Sequence, residues 1–212
     1  DWDSDGDLDI VSVSANGTLR LFNNERHAKF TDITGTTGLS NPSLKGKAIV
    51  MGDYNNDGQP DLFLAGEKNS PSFLLKNTGT GIFQTDASSE NITKALSDLA
   101  VTAAIYLDFD NDGLEDILAG GLTADNKRGL RLLHNEGAKG FSDVTEMLPP
   151  ELQTQQLALA DFNMDGDDDI FLTGPGGLKL IRNDGGSLNH YTQVQLVGFS
   201  YGNSKNNRLG IG

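Results

Sequence analysis

The chain has 212 residues, a formal net charge of −14 and no cysteine. A disulfide framework and a cysteine-based zinc site are therefore excluded, and the length is enough for one or two domains with a sizeable core. No basic stripe exists to neutralise phosphates, so nucleic acid is not expected as a partner. No apolar run reaches the roughly 18 residues of a membrane span.

An acidic loop with the pattern D-x-[DN]-x-D-G-x-x-D occurs four times, at 1–9, 53–61, 108–116 and 161–169. The four loops contain 18 of the 30 Asp and Glu residues and none of the 16 Lys and Arg residues, so the acidity of the chain belongs to them. Two carboxylates about 4 Å apart repel by roughly 4 kcal/mol at an effective dielectric constant near 20. We therefore expect a bound cation in each loop.

Oxygen side chains at loop positions 1, 3, 5 and 9 converge if the chain turns sharply at the glycine of position 6. With the backbone carbonyl of position 7 they form the hard-oxygen set that Ca²⁺ prefers, so up to four Ca²⁺ ions are predicted. The predicted ligands at positions 1, 3, 5, 7 and 9 are Asp1, Asp3, Asp5, Asp7 and Asp9; Asp53, Asn55, Asp57, Gln59 and Asp61; Asp108, Asp110, Asp112, Leu114 and Asp116; and Asp161, Asn163, Asp165, Asp167 and Asp169. Loops two and four carry asparagine at position 3, so their sites are expected to bind more weakly.

The sequence around the loops also recurs, with a period of 52 to 55 residues. Fixed periods of this size are typical of repeat proteins in which each unit buries its face on the next. A short apolar run that ends at glycine follows each loop, as at 61–66, and predicts a buried strand. A second strand that ends in asparagine is predicted at 19–24, 73–77, 130–135 and 178–183.

A further strand begins at phenylalanine in three units, at 30–34, 83–87 and 141–145. Another, such as 46–51 or 102–107, leads into the next loop. Four short strands in about 53 residues are the content of one β-propeller blade, so we predict an all-β fold built from such blades. No segment shows a convincing helical period, although 96–107 is ambiguous.

Position 2 of every loop is aromatic: Trp2, Tyr54, Phe109 and Phe162. This position faces away from the ion in a loop of this kind, so the rings are expected to pack between blades rather than to bind a ligand. The three histidines, His27, His134 and His190, lack the H-E-x-x-H spacing of a zinc site and are expected in exposed turns.

The loops and the N-x₅-F-x-[DT] elements that follow them resemble the FG-GAP/VCBS repeat family of integrin α-subunits and many bacterial surface proteins. The resemblance covers residues 1 to about 185, and the propeller repeats are assigned to 1–188. It implies a β-propeller, usually of about seven blades, with one Ca²⁺ in each calcium-type loop. The Phe-Gly and Gly-Ala-Pro sequence motifs of integrins are absent, so the bacterial-type variant of the repeat fits better.

Residues 189–212 depart from the repeat and resemble the opening of the ASPIC/UnbV segment that follows such repeats in cartilage-acidic-protein-like molecules. Four units seldom close a propeller of this type, so the chain is expected to be part of a longer molecule. Further blades or neighbouring subunits are expected to contact residues 1–20 and 189–212, because terminal strands would otherwise leave unpaired edges.

Other loop chemistries fit less well. An EF-hand needs glutamate at position 12, where this chain has Ser12, Leu64, Ala119 and Leu172. No G-x-S-x-G elbow, P-loop or G-x-G-x-x-G occurs, so no enzyme activity is expected.

We therefore predict a calcium-stabilised, non-catalytic β-propeller of a secreted or cell-surface protein. Its role would be adhesion, protein–protein interaction or assembly, with a protein or glycan surface ligand as the partner. The alternative is a glycan-binding, lectin-like propeller or an accessory module of a polysaccharide-acting enzyme.

Overall fold

The computed structural model describes residues 1–25, 29–123, 125–150 and 152–184. Its strands are Ile10–Val13 (β1), Leu19–Asn24 (β2), Phe30–Asp32 (β3), Ala48–Gly52 (β4), Asp61–Ala65 (β5), Phe73–Asn77 (β6), Phe83–Thr85 (β7), Ala100–Leu107 (β8), Asp116–Leu122 (β9), Arg128–Asn135 (β10), Phe141–Asp143 (β11), Gln156–Ala160 (β12), Asp169–Gly174 (β13) and Gly177–Ile181 (β14).

These strands form four antiparallel sheets that follow one another along the chain: β1–β3, β4–β7, β8–β11 and β12–β14. Within each sheet, strands that are consecutive in sequence are neighbours, as in the blade of a propeller. The prediction of an all-β chain of propeller blades is therefore confirmed, and we number the blades one to four. The acidic loops lie before β1 and in the connections β4–β5, β8–β9 and β12–β13.

The central strands of the blades are buried on both faces. In β5, Leu62 and Leu64 pack towards blade one, whereas Phe63 and Ala65 pack towards blade three. Successive side chains of a strand point to opposite faces, so an uninterrupted apolar run serves two neighbouring blades at once. For this reason the strands after each loop are continuous apolar segments in the sequence and do not alternate between apolar and polar residues.

The core consists of three apolar layers, each between two successive blades. Trp2, Leu21 and Leu64 belong to the layer between blades one and two, and Leu118 and Ile170 to the layer between blades three and four. The first strands β4 and β8 contact each other, and β8 contacts β12. The blades therefore follow in space in the order of the sequence, which brings consecutive acidic loops side by side.

Ser89–Ala95 forms one short helix, α1, although the sequence shows no convincing helical period there. Its Ile92 is fully buried in the layer between blades two and three. A helix of two turns with one such anchor has no period that a sequence pattern can reveal. The ambiguous segment 96–107 is a strand from Ala100 onwards.

The strands that begin at phenylalanine are shorter than predicted. Each has three residues, because the chain then turns into a short 3₁₀ helix in blades one and three or towards α1 in blade two. Among the described residues no helix is long and apolar enough to cross a membrane. The predicted boundary between residues 188 and 189 lies outside the described residues, as does the segment that follows it.

Candidate metal centre

Two residues with positive φ give each loop its shape. In loop two these are Asn56 at position 4, with φ of 55°, and Gly58 at position 6, with φ of 81°. The same two positions have positive φ in the other three loops. Glycine takes this conformation without steric cost, which explains why position 6 is glycine in every repeat. The two left-handed residues curl the chain, and in loops one and three the side chains of positions 1, 3 and 5 come together.

Carboxylate side chains within the loop then stabilise this turn by accepting hydrogen bonds from its backbone amides. Asp53 at position 1 accepts hydrogen bonds from the amides of Asp57 (3.1 Å) and Gly58 (2.8 Å). Asp57 at position 5 accepts one from the amide of Gln59 at 3.0 Å. The equivalent three bonds recur in loops one, three and four. The four loops therefore share one backbone-bonded geometry.

The structure brings the predicted ligands at positions 1, 3 and 5 together. In loop one a carboxylate oxygen from each of Asp1, Asp3 and Asp5 lies within 4.8 Å of the others. The corresponding residues of loop three, Asp108 and its two partners at positions 3 and 5, do the same. Such spacing suits ligands that share one ion.

The aspartate at position 9, besides being a predicted ligand, makes backbone hydrogen bonds that the sequence does not reveal. Asp116 is fully buried and accepts hydrogen bonds from the amides of Phe109 (3.1 Å) and Asn135 (2.7 Å). Asp9, Asp61 and Asp169 likewise accept the amide of the asparagine near the end of their second strand. The aspartate at position 9, the last predicted ligand of each loop, thus connects the loop to the sheet that follows it.

Loops two and four replace one carboxylate at position 3 by an amide, as the sequence shows. Asn55 donates its Nδ2 to Asp61 at 2.6 Å, and Asn163 donates to Asp165 at 2.5 Å. The amide therefore relieves part of the repulsion between carboxylates through a hydrogen bond, while its carbonyl oxygen keeps acceptor capacity.

The electrostatics of the loops favour a cation. Burial raises the pKa of Asp61 to about 7, and the nearby Asp57 and Asp53 carboxylates raise it further. Burial also raises the pKa of Asp116 to about 6, although backbone amides donate to it. The pKa of Asp108 is raised as well, chiefly by burial. A positive ion at the centre of such a loop would favour the ionised carboxylates.

These observations test whether Ca²⁺ fits the residues present. The donors are carboxylate and amide oxygens, their positions are fixed by the loop's own hydrogen bonds, and several carry a raised pKa. This is the chemistry of a hard divalent cation. The carbonyl oxygens of Asp7, Gln59, Leu114 and Asp167 remain predicted ligands.

A basic side chain lies beside three of the loops, one residue before the asparagine near the end of the second strand. Lys76 Nζ lies 3.0 Å from Asp57 in loop two, and Arg182 lies near the acidic residues of loop four. The equivalent residue of loop three is His134, whose Nδ1 is 3.1 Å from Asp116.

The prediction of an exposed turn is therefore wrong for His134, which lies in β10 and is partly buried. His134 packs edge-on against Phe109, with ring centroids 5.4 Å apart. One atom each of His134, Asp110 and Asp116 lie within 4.8 Å of one another. The histidines at 27 and 190 lie outside the described residues.

The asparagine near the end of the second strand links successive blades, a role missed by the sequence analysis. Asn135 Nδ2 donates to the carbonyl of Tyr54 in the preceding loop at 2.8 Å, and Asn77 Nδ2 donates to Trp2 at 3.1 Å. Asn183 donates to Phe109 in the same way at 2.8 Å. The recurrence of this asparagine in all four repeats was the available signal.

The aromatic residues at position 2 of loops one and two pack between blades. Trp2 lies on Phe83 of blade two, with ring centroids 6.2 Å apart, and Tyr54 lies on Phe141 of blade three at 6.3 Å. The expectation is therefore confirmed for Trp2 and Tyr54. Phe162 instead packs against a ring of its own blade and is 63% exposed.

The raised pKa of Asp61 predicts a pH dependence in the calcium-free protein. A carboxyl with a higher pKa in the folded than in the unfolded state binds its proton more tightly when folded. Its contribution to stability therefore declines as pH rises from about 4 to about 7. We expect a higher melting temperature at pH 5 than at pH 7.5 in calcium-free buffer, and a smaller difference in Asp61→Asn. An unchanged difference in Asp61→Asn would contradict this assignment.

Comparison with known proteins agrees with this geometry. The model of the FG-GAP-like repeat matches three overlapping stretches, 1–64, 53–119 and 108–172, each of which starts at a loop and ends in the strand after the next loop. The chain belongs to the FG-GAP-like repeat family. The resemblance drawn from the loops and from the elements that follow them is thereby confirmed.

The relatives are proteins named cartilage acidic protein 1. The mouse protein is 25% identical over 199 residues, which cover 88% of this chain and 30% of the relative. The Xenopus tropicalis protein is 28% identical over 175 residues, covering 78% of this chain and 26% of the relative. This FG-GAP-like chain therefore spans less than a third of the relatives' length.

A solved structure shares the fold. It is a lectin from Agrocybe aegerita described as recognising non-reducing terminal N-acetylglucosamine. The match has a TM-score of 0.56 at 20% identity and covers 87% of this chain and 48% of the lectin chain. At this identity the match shows a common fold.

Proposed function

We propose that each of the four loops binds one Ca²⁺ and that the ions stabilise a non-catalytic propeller. The observation that supports the proposal most is that a single hydrogen-bonded loop geometry recurs four times. In each loop, positions 1, 3, 5 and 9 carry a side chain with a carboxylate or amide oxygen. Carboxylates forced together in this way need a positive partner. The ion would supply it and fix the loop against the sheet.

The proposed ions are structural rather than catalytic. The ligands of each site come from one short segment, and those at positions 1, 5 and 9 are already oriented by backbone amides. A catalytic metal must keep an open position for water or substrate. Activity would then reside in the faces and edges of the blades, as expected for adhesion, protein–protein interaction or assembly.

We place the protein outside the cell or at its surface. Its relatives are named cartilage acidic protein 1, and calcium loops of extracellular modules bind with dissociation constants of about 10⁻⁴–10⁻³ M. Sites of that affinity fill in a calcium-rich medium outside the cell. A secreted or surface-displayed protein would therefore carry these ions permanently.

Blade four presents the surface on which a further blade would pack. Phe162, Met164 and Leu178 are exposed there, and Leu180 is exposed to a lesser degree. The equivalent aromatic residues Trp2 and Tyr54 are buried by the next blade. A blade of the same kind, or one from a neighbouring subunit, would cover these side chains as blades two and three cover their predecessors.

Glycan binding is a second candidate function. It is favoured by the fold shared with the lectin and by a groove of about 840 Å³ at the outer side of blade three. Charged residues line the groove, including Arg128, Arg131 and Glu146, beside apolar Leu148 and Leu152. The single tryptophan is buried between blades and is not available for stacking on a sugar.

Calorimetric titration with Ca²⁺ tests the proposal. We expect up to four ions per chain, with weaker binding at loops two and four because asparagine replaces a carboxylate at position 3. Coordination lengths of about 2.3–2.6 Å in a crystal with calcium would identify the ion, whereas lengths near 2.0–2.1 Å are typical of Mg²⁺. No binding at millimolar Ca²⁺ would refute the proposal.

A glycan array probed with the intact chain separates the two functions. If glycan binding is the activity, a defined sugar class is retained and Arg131→Ala weakens it, while calcium binding is unchanged. Failure to retain any sugar would remove the second candidate and leave the first intact.

A further inference from the structure

Adjacent acidic loops are joined by direct hydrogen bonds. Asn56, at position 4 of loop two, donates its Nδ2 to the carbonyl oxygen of Gly113 in loop three at 2.5 Å. Asn111, at position 4 of loop three, donates to the carboxylate of Asp167 in loop four. Both acceptors lie at the sharp turn of the next loop, at positions 6 and 7. A side chain of one loop therefore holds the turn of its neighbour.

A second connection runs in the opposite direction, from position 8 of one loop to position 1 of the loop before it. Glu115 of loop three lies over Gly52 and beside the amide of Asp53. Its Oε2 is buried and has no hydrogen-bond partner among the described residues.

Between loops three and four, the connection that the structure shows is the hydrogen bond from Asn111 to Asp167. Between blades one and two the counterparts are Ser4 and Pro60, and within the described ranges neither makes such a connection. Loops two, three and four are therefore joined in series, with a second connection between loops two and three through Glu115, whereas loop one makes neither kind of connection within the described residues.

We propose that the calcium sites of loops two, three and four are thermodynamically coupled, so that an ion in one loop raises the affinity of the next. Loop one shares with the other loops the asparagine bond to the next blade, from Asn77 to Trp2, but within the described residues it lacks the direct bond between loops, so its site is coupled to them more weakly. The inference rests on the calcium binding proposed above. It concerns how the sites act together rather than whether they bind.

The coupling has two physical sources. An ion that fixes the turn of loop three also fixes the Gly113 carbonyl to which Asn56 donates, so loop two loses less freedom when it binds its own ion. An ion bound through Asp53 also fixes the backbone amide of Asp53 that lies beside Glu115, and Glu115 adjoins the predicted ligand Asp116 of loop three. Such coupling is reciprocal, and typical values correspond to a 5- to 150-fold change in affinity.

Hydrogen exchange measured by mass spectrometry resolves the loops as separate peptides. The midpoint of amide protection against Ca²⁺ concentration is measured for 53–61 and 161–169 in the intact chain. Asp112→Ala, which removes a ligand of loop three, is expected to move both midpoints at least about fivefold higher. Asp5→Ala, the matched change in loop one, is expected to move them by less than Asp112→Ala does, and an equal shift would overturn the difference between loop one and the other loops.

Asn111→Gly tests the connection itself while every predicted ligand is kept. Glycine accepts the positive φ of position 4, so the side chain is lost without backbone strain. The effect of Asp112→Ala on loop four is expected to shrink in this background, as a double-mutant cycle would record. Ser4→Gly is the control, because it makes the same change in loop one.

The outcomes distinguish calcium binding by the loops from coupling between their sites. If no loop gains protection on addition of Ca²⁺, the proposed function fails. If all four gain protection but Asp112→Ala leaves 53–61 and 161–169 unchanged, the coupling is overturned and the calcium sites stand. Higher affinity in those loops after Asp112→Ala would show competition between neighbouring ions and would also overturn the coupling. Asn111→Gly provides a separate test should Asp112→Ala fail to fold.

Discussion

Removal of calcium with a chelator is expected to lower the melting temperature by roughly 10–20 °C. A ligand at ten times its dissociation constant stabilises the folded state by about 1.4 kcal/mol per site, so four sites contribute about 6 kcal/mol. For a chain of this size 1 kcal/mol shifts the melting temperature by about 2–4 °C. The total is comparable with the 5–15 kcal/mol of a whole domain. Thermal unfolding followed by circular dichroism, with and without chelator, measures the effect.

Two controls separate the loss of bound Ca²⁺ from other effects of the chelator. Re-addition of excess Ca²⁺ is expected to restore the melting temperature, and Asp112→Ala is expected to respond less to chelation and to loosen blade three. Hydrogen exchange in 108–116 would report that loosening directly. A melting temperature that is indifferent to chelator would refute the proposed role of the ions as staples.

Asn135→Ala is expected to destabilise the chain by about 3–5 kcal/mol. Asn135 is only 2% exposed, and its Nδ2 donates to the carbonyls of Tyr54 and Glu115 at 2.8 and 3.1 Å. Its Oδ1 also accepts a hydrogen bond from the amide of Gly137 at 3.0 Å. Alanine would leave these buried groups without partners, at about 1–3 kcal/mol each. Urea unfolding at saturating Ca²⁺ measures the loss.

Asn24→Ala is the matched control, because Asn24 occupies the same position of the repeat in blade one. Its Nδ2 donates to Leu8 of its own blade, at an exposed site, at 3.1 Å. We expect the change to cost less than about 1.5 kcal/mol, since water can replace an exposed hydrogen bond. Equal losses in Asn24→Ala and Asn135→Ala would mean that this asparagine acts within its own blade rather than between blades.

The fold and the shape of the loops could be predicted because both depend on local sequence patterns. The glycine of position 6 is needed for a positive φ, and a carboxylate at position 1 caps the turn that the glycine allows. The apolar run of β5 is continuous because both of its faces are covered by neighbouring blades. Each feature depends on residues a few positions apart, and four copies made the pattern unmistakable.

The helix α1 and the environment of His134 could not be predicted in the same way. Ile92 anchors a helix of two turns because a space between blades two and three accepts it, and that space is formed by distant strands. His134 faces loop three because the strand that follows the loop pairs with β10 in a register that places the imidazole beside Asp116. Neither the space nor the register is visible from the neighbouring sequence.

The sequence by itself determined the blade, its repeat length and the residue types that surround each proposed ion. Only the tertiary structure decided how one blade contacts the next. Asn56 donates a hydrogen bond to Gly113, Glu115 lies beside Asp53, and Asn135 donates a hydrogen bond to Tyr54. A local motif specifies the shape of its own loop through bonds between near neighbours. The partner across a blade interface is 57 to 81 residues away in the first and last of these pairs, and packing alone brings it within hydrogen-bond distance.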